Sequence, residues 1–432
     1  MVCGRLCRNE RRAEPVALEC AAPRRPDRRE YEPSMAETLP KVWLKPGREK
    51  SLRRRHPWVF SGAIERVDGD PKPGATIELV AASGEFLAYG AYSPTSQIRV
   101  RVWTFDARER VDAAFFRRRL VRAVESRRRL GLLDEPNSAC RLVFAESDGM
   151  PGFIVDRYGD YLVCQVLATG AETWRVTLVE QLAELCAPRG IYERSEGGAR
   201  HKEGLPSRRG VLAGEEPPAA IEVRAGDVIS LVEVLAGQKT GAYLDQQHNR
   251  RRVAAHAQGD MLDAFSYTGG FAIACLKSGA RGATLIDSSH EALALAERQT
   301  SLNGVRERCR FVAADVFDEL RVLREGGAQF DLVVLDPPKF VHSADQIPAG
   351  SRGYKDINML GLALVRPGGV LATFSCSGHV DALLFQKIVA GAAVDARRDA
   401  QILERLSQPP DHPVAIEFPE ADYLKGLIFR VH

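Results

Sequence analysis

From about Asp227 onward the chain alternates short Val-, Leu- and Ile-rich runs with helical stretches of 10–16 residues. "GDMLDAFSYTGG" leads into "FAIACLKSGA", "GATLID" into "SSHEALALAERQTSLNG", and "CRFVAAD" into "VFDELRVLREG"; "FDLVVLDPP" and "GGVLATFSCS" follow. Apolar runs without polar alternation are strands covered on both faces, and helices between them dictate parallel pairing. The predicted architecture is a doubly wound α/β sheet, in which ligands sit beyond the carboxyl ends of the strands. The polar motifs of this half fall at those ends.

The first strand ends in "LDAFSYTGGF", with Asp263 before the turn and Gly269 and Gly270 opening the next helix. Small residues there let a ligand approach the backbone at a helix N-terminus. A GxGxxG cradle is missing, which counts against a dinucleotide pyrophosphate. Asp287 ends the second strand, where an acid can bind ribose hydroxyls. Asp315 ends the third and suits an adenine amino group. Acids at three successive strand ends, with no phosphate loop, fit a cationic nucleoside such as S-adenosylmethionine. Each acid alone reads more simply as a helix cap.

"VVLDPPKF" puts Asp336-Pro337-Pro338-Lys339 at the end of the fourth strand, and Cys376 ends the fifth. Carbon C5 of a pyrimidine is a poor nucleophile until a thiolate adds at C6 and makes C5 enamine-like. An acid that donates to N3 stabilises the charge of that addition. Cys376 and Asp336 supply such a pair, on a base that has left its stack. The bland reading of Cys376 is a small core hydrophobe. Ser375, Ser377 and Gly378 around it favour an exposed, activated thiol instead.

The N-terminal half reads differently. Alternating runs with Gly and Pro punctuation between Val42 and Val102 predict a small β-rich barrel. Residues 41–130 carry 20 Lys and Arg against 10 Asp and Glu, while 131–432 carry a net charge of −8. A basic module suggests contact with a polyanion. Arg53, Arg54 and Arg55 precede Trp58 and Phe60, the mixture a phosphate-tracking, base-stacking surface needs; barrel packing is the simpler account of the two aromatics. "DAAFFRRRLVRAVESRRRLGL" is an amphipathic basic helix linking the barrel to a small α+β domain over 139–225. In that domain "EGGARHKEGLPSRRG" reads as a Gly-rich basic loop and a second RNA-facing edge. The first 34 residues, rich in Arg, Pro and Glu, read as an extension outside the fold, and no run approaches the roughly 18 apolar residues of a membrane span. The nine cysteines show no CxxC pair, against a disulfide framework or metal site and in favour of a reducing cytoplasm.

Taken together, "REKSLRRRHPWVFSGAI", "GAYSPTSQIRVRVWTF", "GQKTGAYLDQQHNR", "FSYTGGFA", "DPPKFV", "RGYKDINML", "FSCSG" and "DHPV…FPE…YLKG" resemble the ribosomal RNA large subunit methyltransferase I family. The resemblance runs from about residue 40 to the C-terminus. It implies an RNA-binding PUA barrel over 40–115 after an extension at 1–39. A linker helix and central α+β domain would take 116–225, and a Rossmann-like methyltransferase domain 226–432. It further implies S-adenosylmethionine as cofactor, 23S ribosomal RNA as partner, and 5-methylcytosine as product, with neither metal nor membrane and a homodimer as an option. By this similarity Cys376 is the nucleophile and Asp336 faces the base. Gln238, Tyr243, Phe265, Tyr267, Thr268, Gly269 and Gly270 would line the cofactor together with Asp263, Asp287, Asp315 and Asp336. Lys339, Arg352, Tyr354 and Lys355 would meet RNA near the active-site mouth. The chain departs from the family pattern in its extension and in His379, where an apolar residue is expected. Alternatives are 5-methyluridine formation with the same thiol, methylation of a purine nitrogen without it, and an RNA-binding assembly factor with an idle cofactor fold.

Overall fold

The computed structural model describes residues 39–237 and 239–432; the extension and Gln238 lie outside them. Six strands form the first sheet, in the spatial order Trp58–Phe60, Ile98–Thr104, Phe86–Tyr92, Thr76–Val80, Lys41–Leu44 and Ile64–Asp68. Val59 on the first of these strands and Val42 near the last share one apolar core with Leu44, Ile77, Leu79, Ala88 and Val100. The sheet therefore wraps a single core, as the alternation predicts.

Helix Ala113–Arg129 follows, its first turn capped by Asp112, which accepts from the Phe115 amide at 2.9 Å. Its apolar stripe, Phe115, Phe116, Leu120, Ala123 and Val124, lies against a five-stranded sheet over 139–214. It is thus a packed layer of the central part and more than a linker. The pattern change at 226 falls on a hairpin turn, because Ile221–Ala225 pairs antiparallel with Val228–Val232. That hairpin is stitched to the last domain by Asn303 and Gln299, which accept from the amides of Ile229 and Leu231.

The final sheet has seven strands: β1 Asp260–Ala264, β2 Gly282–Asp287, β3 Cys309–Ala313, β4 Phe330–Leu335, β5 Val365–Ser375, β6 Ala400–Leu406 and β7 Lys425–Val431. Their order is β3-β2-β1-β4-β5-β7-β6, with β1 to β5 parallel and β7 antiparallel to both neighbours. Six helices accompany it: α1 Gln247–Ala254, α2 Gly270–Ser278, α3 His290–Leu302, α4 Val316–Glu325, α5 Ile347–Leu364 and α6 Ala382–Asp395. Each face of the sheet has its own core. Leu262, Val333, Leu335 and Leu371 look one way, and Met261, Leu332, Val334 and Ala372 the other. Alternation within one strand supplies both faces, which is why these strands read as unbroken apolar runs.

Candidate active site

The parallel strands end side by side, and five predicted residues stand there. Asp263 is the penultimate residue of β1 and Asp287 the last of β2; Asp315 lies two residues past β3, Asp336 one past β4 and Cys376 one past β5. β4 and β5 are neighbours, so Asp336 and Cys376 share one edge of the site.

The loop after β1 is held under backbone strain. Phe265 and Tyr267 have φ of 61° and 47°, and Gly269, which caps α2, has 76°. Left-handed backbone at two aromatic residues costs about 1 kcal/mol or more each and persists where surrounding bonds enforce it. Asp287 is one such enforcer: its two oxygens accept from the amides of Tyr267 (2.8 Å) and Ser289 (2.9 Å). Thr268 is another anchor, its carbonyl accepting from Gln299 at 2.9 Å. Gly270 leaves room for Arg250, whose Nε would lie 2.6 Å from a Cβ at that position. Asp315 caps α4, accepting from the Asp318 amide at 3.1 Å, and is exposed.

Several buried polar atoms converge here without a hydrogen-bond partner among the described residues: Asp263 Oδ1, Ser266 Oγ, Asp245 Oδ1, Asn249 Oδ1 and Arg250 Nε. Buried polar atoms are normally paired, so this concentration fits a polar ligand of both charges, as the ammonium, carboxylate and sulfonium of S-adenosylmethionine are. Asp263 is fully buried, and among the described residues the Ala272 amide is its one hydrogen-bond donor, at 3.0 Å. Burial, aided by Asp336, pushes its carboxyl up to about 7. Asp336 is likewise pushed up to about 7 by burial and by Asp245, against the pull of Gln246, Arg250 and Lys239.

The segment before α1 forms the other wall, and its contribution was only partly visible in sequence. Gln246 donates to Asp336 Oδ1 at 2.9 Å and accepts from Asn249 at 2.7 Å. Arg250 donates to the Tyr243 carbonyl at 3.2 Å, and the Tyr243 ring meets the Tyr267 ring edge-on, centroids 5.3 Å apart. Asp245 is bonded by Lys239 (3.0 Å) and Tyr423 (2.7 Å); burial raises this carboxyl, but Lys239 and His412 outweigh it and hold it well below the usual range. The signal for Gln246, Asn249 and Arg250 was their i, i+3, i+4 spacing on one face of a helix entry. Within "DHPV" the first two residues, Asp411 and His412, are buried, and Asp411 accepts from the Arg141 amide at 2.8 Å, while Val414 is exposed.

Cys376 is half-buried, and burial, Asp336 and Asp245 push its thiol up. The two serines beside it are scaffold. Both are fully buried, and Ser377 Oγ takes the Val341 amide at 3.2 Å and lies 2.9 Å from the Tyr354 hydroxyl. This corrects the expectation for Tyr354: its ring is fully buried in the core of α5 and cannot stack on a nucleotide. Lys355 points to α6 and pairs with Asp395 at 2.7 Å. Arg352 and Lys339 are exposed. His379 is exposed as well.

The basic N-terminal surface is partly neutralised. Arg53 is clamped by both oxygens of Glu85 at 3.0 and 2.6 Å, and Arg117, Arg118, Arg127, Arg128 and Arg129 all have acidic partners. Arg54 is exposed, and Arg55 stacks 5.6 Å from the Phe105 ring. Trp58 bridges parts, donating to Glu146 at 2.8 Å and packing on Phe418 at 4.7 Å, while Phe60 is 50% exposed. In the expected basic loop, Arg200 is fully buried and paired with Glu172 at 2.8 Å, so it cannot face RNA.

Residues 42–105 match the family model of a PUA-like domain, and residues 206–430 that of an S-adenosylmethionine-dependent methyltransferase. The chain is 51% identical over 395 residues to the ribosomal RNA large subunit methyltransferase I of Aeromonas salmonicida, covering 90% of this chain and 98% of that one. Identity to the protein of the same name from Aeromonas hydrophila is 52% over 397 residues, with the same coverage. A candidate SAM-dependent methyltransferase from Streptococcus mutans shares the fold with a TM-score of 0.76 at 20% identity, over 90% of this chain and 99% of that one. So does a candidate methyltransferase complexed with SAH, with a TM-score of 0.77, 20% identity and the same coverage.

Proposed function

Because the chain belongs to the ribosomal RNA large subunit methyltransferase I family, we propose that it methylates C5 of a cytosine in 23S ribosomal RNA through a transient bond from Cys376 to C6. The observation that carries this reading is the placement of Cys376 and Asp336 on the ends of adjacent strands, beside the strained loop after β1. S-adenosylmethionine, when bound, supplies an electrophilic methyl group on its sulfonium. Asp263, Asp287, Tyr243 and the loop from Phe265 to Gly270 would hold it, with Arg250 available to its carboxylate.

The remaining work belongs to the chain's own side chains. The Cys376 thiolate forms the bond to C6 as the π bond between C5 and C6 breaks, its electron pair shifting to C5 and through C4 towards N3. Once C5 has taken the methyl group, loss of the C5 proton to a base re-forms that double bond and expels the thiolate. Asp336 keeps its proton below about 7 and can donate it to N3, countering the charge that the addition builds. Gln246 fixes the orientation of that carboxyl, and Ser375 and Ser377, locked in the core, aim the sulfur out of it. The target base must be unstacked to reach a thiol at a strand end. Arg54, Arg55, Lys339 and Arg352 are the cations proposed to track the RNA backbone. Cys376→Ala is expected to lower methyl transfer at least about 1,000-fold while leaving cofactor affinity within a few-fold; unchanged turnover in that variant sinks the covalent route.

A further inference from the structure

Around Cys376 the carboxyls outnumber the cations that are free to help it. Burial, Asp336 and Asp245 all push the thiol up; Lys239 eases it, but Lys239 is bonded to Asp245 at 3.0 Å. Tyr243, on the same wall, and Tyr354, behind the strand end, feel the thiol's charge and supply no positive charge of their own. A half-buried thiol in that company would be a poor nucleophile near neutral pH.

Lys425 is a further cation at this strand end. It opens β7 directly opposite Ser375 in the β5–β7 ladder and is only 7% exposed. Its ammonium donates to the carbonyls of Ser377 and Tyr423, each at 2.8 Å. Among the described residues no carboxylate makes an ion pair with it. A buried ammonium held by neutral carbonyls alone is expensive, and such charges are normally matched by an anion. Burial brings Lys425 down to about 8; Asp422, Cys376 and Asp381 oppose that shift, and Lys339 on the loop after β4 adds to it. One of the two carbonyls belongs to the residue after Cys376, so the ammonium is anchored on the same short segment as the thiol.

We propose that Lys425 is the counter-charge of the Cys376 thiolate, a positioning residue whose buried ammonium, pinned by the Ser377 and Tyr423 carbonyls, holds the sulfur in its ionised form. The thiol proton leaves to water, the sulfur keeps the electron pair that attacks C6, and Lys425 acts as the ammonium, on the side of pH below about 8. This rests on the reading of Cys376 as nucleophile. It also gives a role to a lysine in "YLKGLIF", an otherwise apolar run where a charged residue has no packing reason to be.

The test is peptide-resolved iodoacetamide labelling of Cys376 in the full chain between about pH 6 and 10, since labelling follows the thiolate fraction. Lys425→Met removes the charge at similar volume, Lys425→Gln keeps a donor for the carbonyls, and Lys425→Arg keeps the charge. The expected result is a labelling midpoint about one pH unit or more higher in the Met and Gln variants, roughly tenfold slower labelling at pH 7, with Arg close to wild type. If Lys425→Gln labels like wild type, the carbonyl bonds and not the charge matter, and the proposal is overturned. Gln and Arg carry the comparison if the Met variant does not melt cooperatively. Activity surviving in Cys376→Ala would instead remove the nucleophile reading, whatever the labelling shows.

Discussion

Asp263 is where the fold and the cofactor site make opposite demands. Its carboxyl is fully buried, one oxygen has no partner among the described residues, and its pKa sits near 7 against an ordinary 3.8. Keeping it ionised at pH 8 without a cationic partner therefore costs roughly 4 kcal/mol. A carboxyl raised in the folded state contributes stability that is present below its unfolded value and is lost as pH rises through its folded one. The wild-type protein should thus lose up to about 4 kcal/mol from this group between about pH 4 and 8, and Asp263→Asn should not. Urea titrations at several pH values read the difference directly. The variant should overtake wild type by about 1–3 kcal/mol at pH 8, allowing for the relaxation that buried sites show. It should also bind S-adenosylmethionine at least about tenfold more weakly, because the buried carboxylate attracts the cation. A variant equally destabilised at pH 5 and pH 8 would mean that Asp263 is not strained, and the argument from its burial would fail.

Arg54→Gln should weaken RNA binding and reduce the salt slope by about one, whereas Arg53→Gln, already neutralised by Glu85, should change it little. Equal slopes in the two variants would move the RNA surface elsewhere. Tyr354→Phe should cost about 1 kcal/mol in unfolding free energy through the lost bond to Ser377, with RNA affinity unchanged. Weaker RNA binding at unchanged stability would return this ring to the mouth of the site.

Much of the catalytic half was legible because parallel sheets leave a strong signature. Apolar runs marked the strands, and the residue types that cannot sit inside such runs marked their ends. Asp263, Asp287, Asp336 and Cys376 were found that way, and each stands at its expected strand end. Pairings between distant residues were not legible. Nothing in "SLRRRH" says that Arg53 will meet Glu85, 32 residues on, or that Arg200 will be buried against Glu172. Such partners are set by tertiary contact, and they determine which cations remain for RNA. Tyr354 was misread although the signal existed: Gly350, Tyr354, Ile357 and Gly361 share one buried helical face, and that periodicity outweighed the residue's chemistry. Ser375 and Ser377 show the same hazard in a strand end, where both small polar residues are fully buried.

The covalent step is the central claim, and trapping it is the most direct test. 23S ribosomal RNA carrying 5-fluorocytidine should be incubated with S-adenosylmethionine and either wild-type protein or Cys376→Ala. Fluorine at C5 cannot leave as a proton does, so the adduct at C6 cannot break down after methyl transfer. The account predicts a denaturation-resistant RNA–protein band with wild type, none with Cys376→Ala, and a cross-linked peptide containing Cys376. Absence of the band while ordinary ribosomal RNA is still methylated would contradict it, and would leave a purine nitrogen or a uracil as the target.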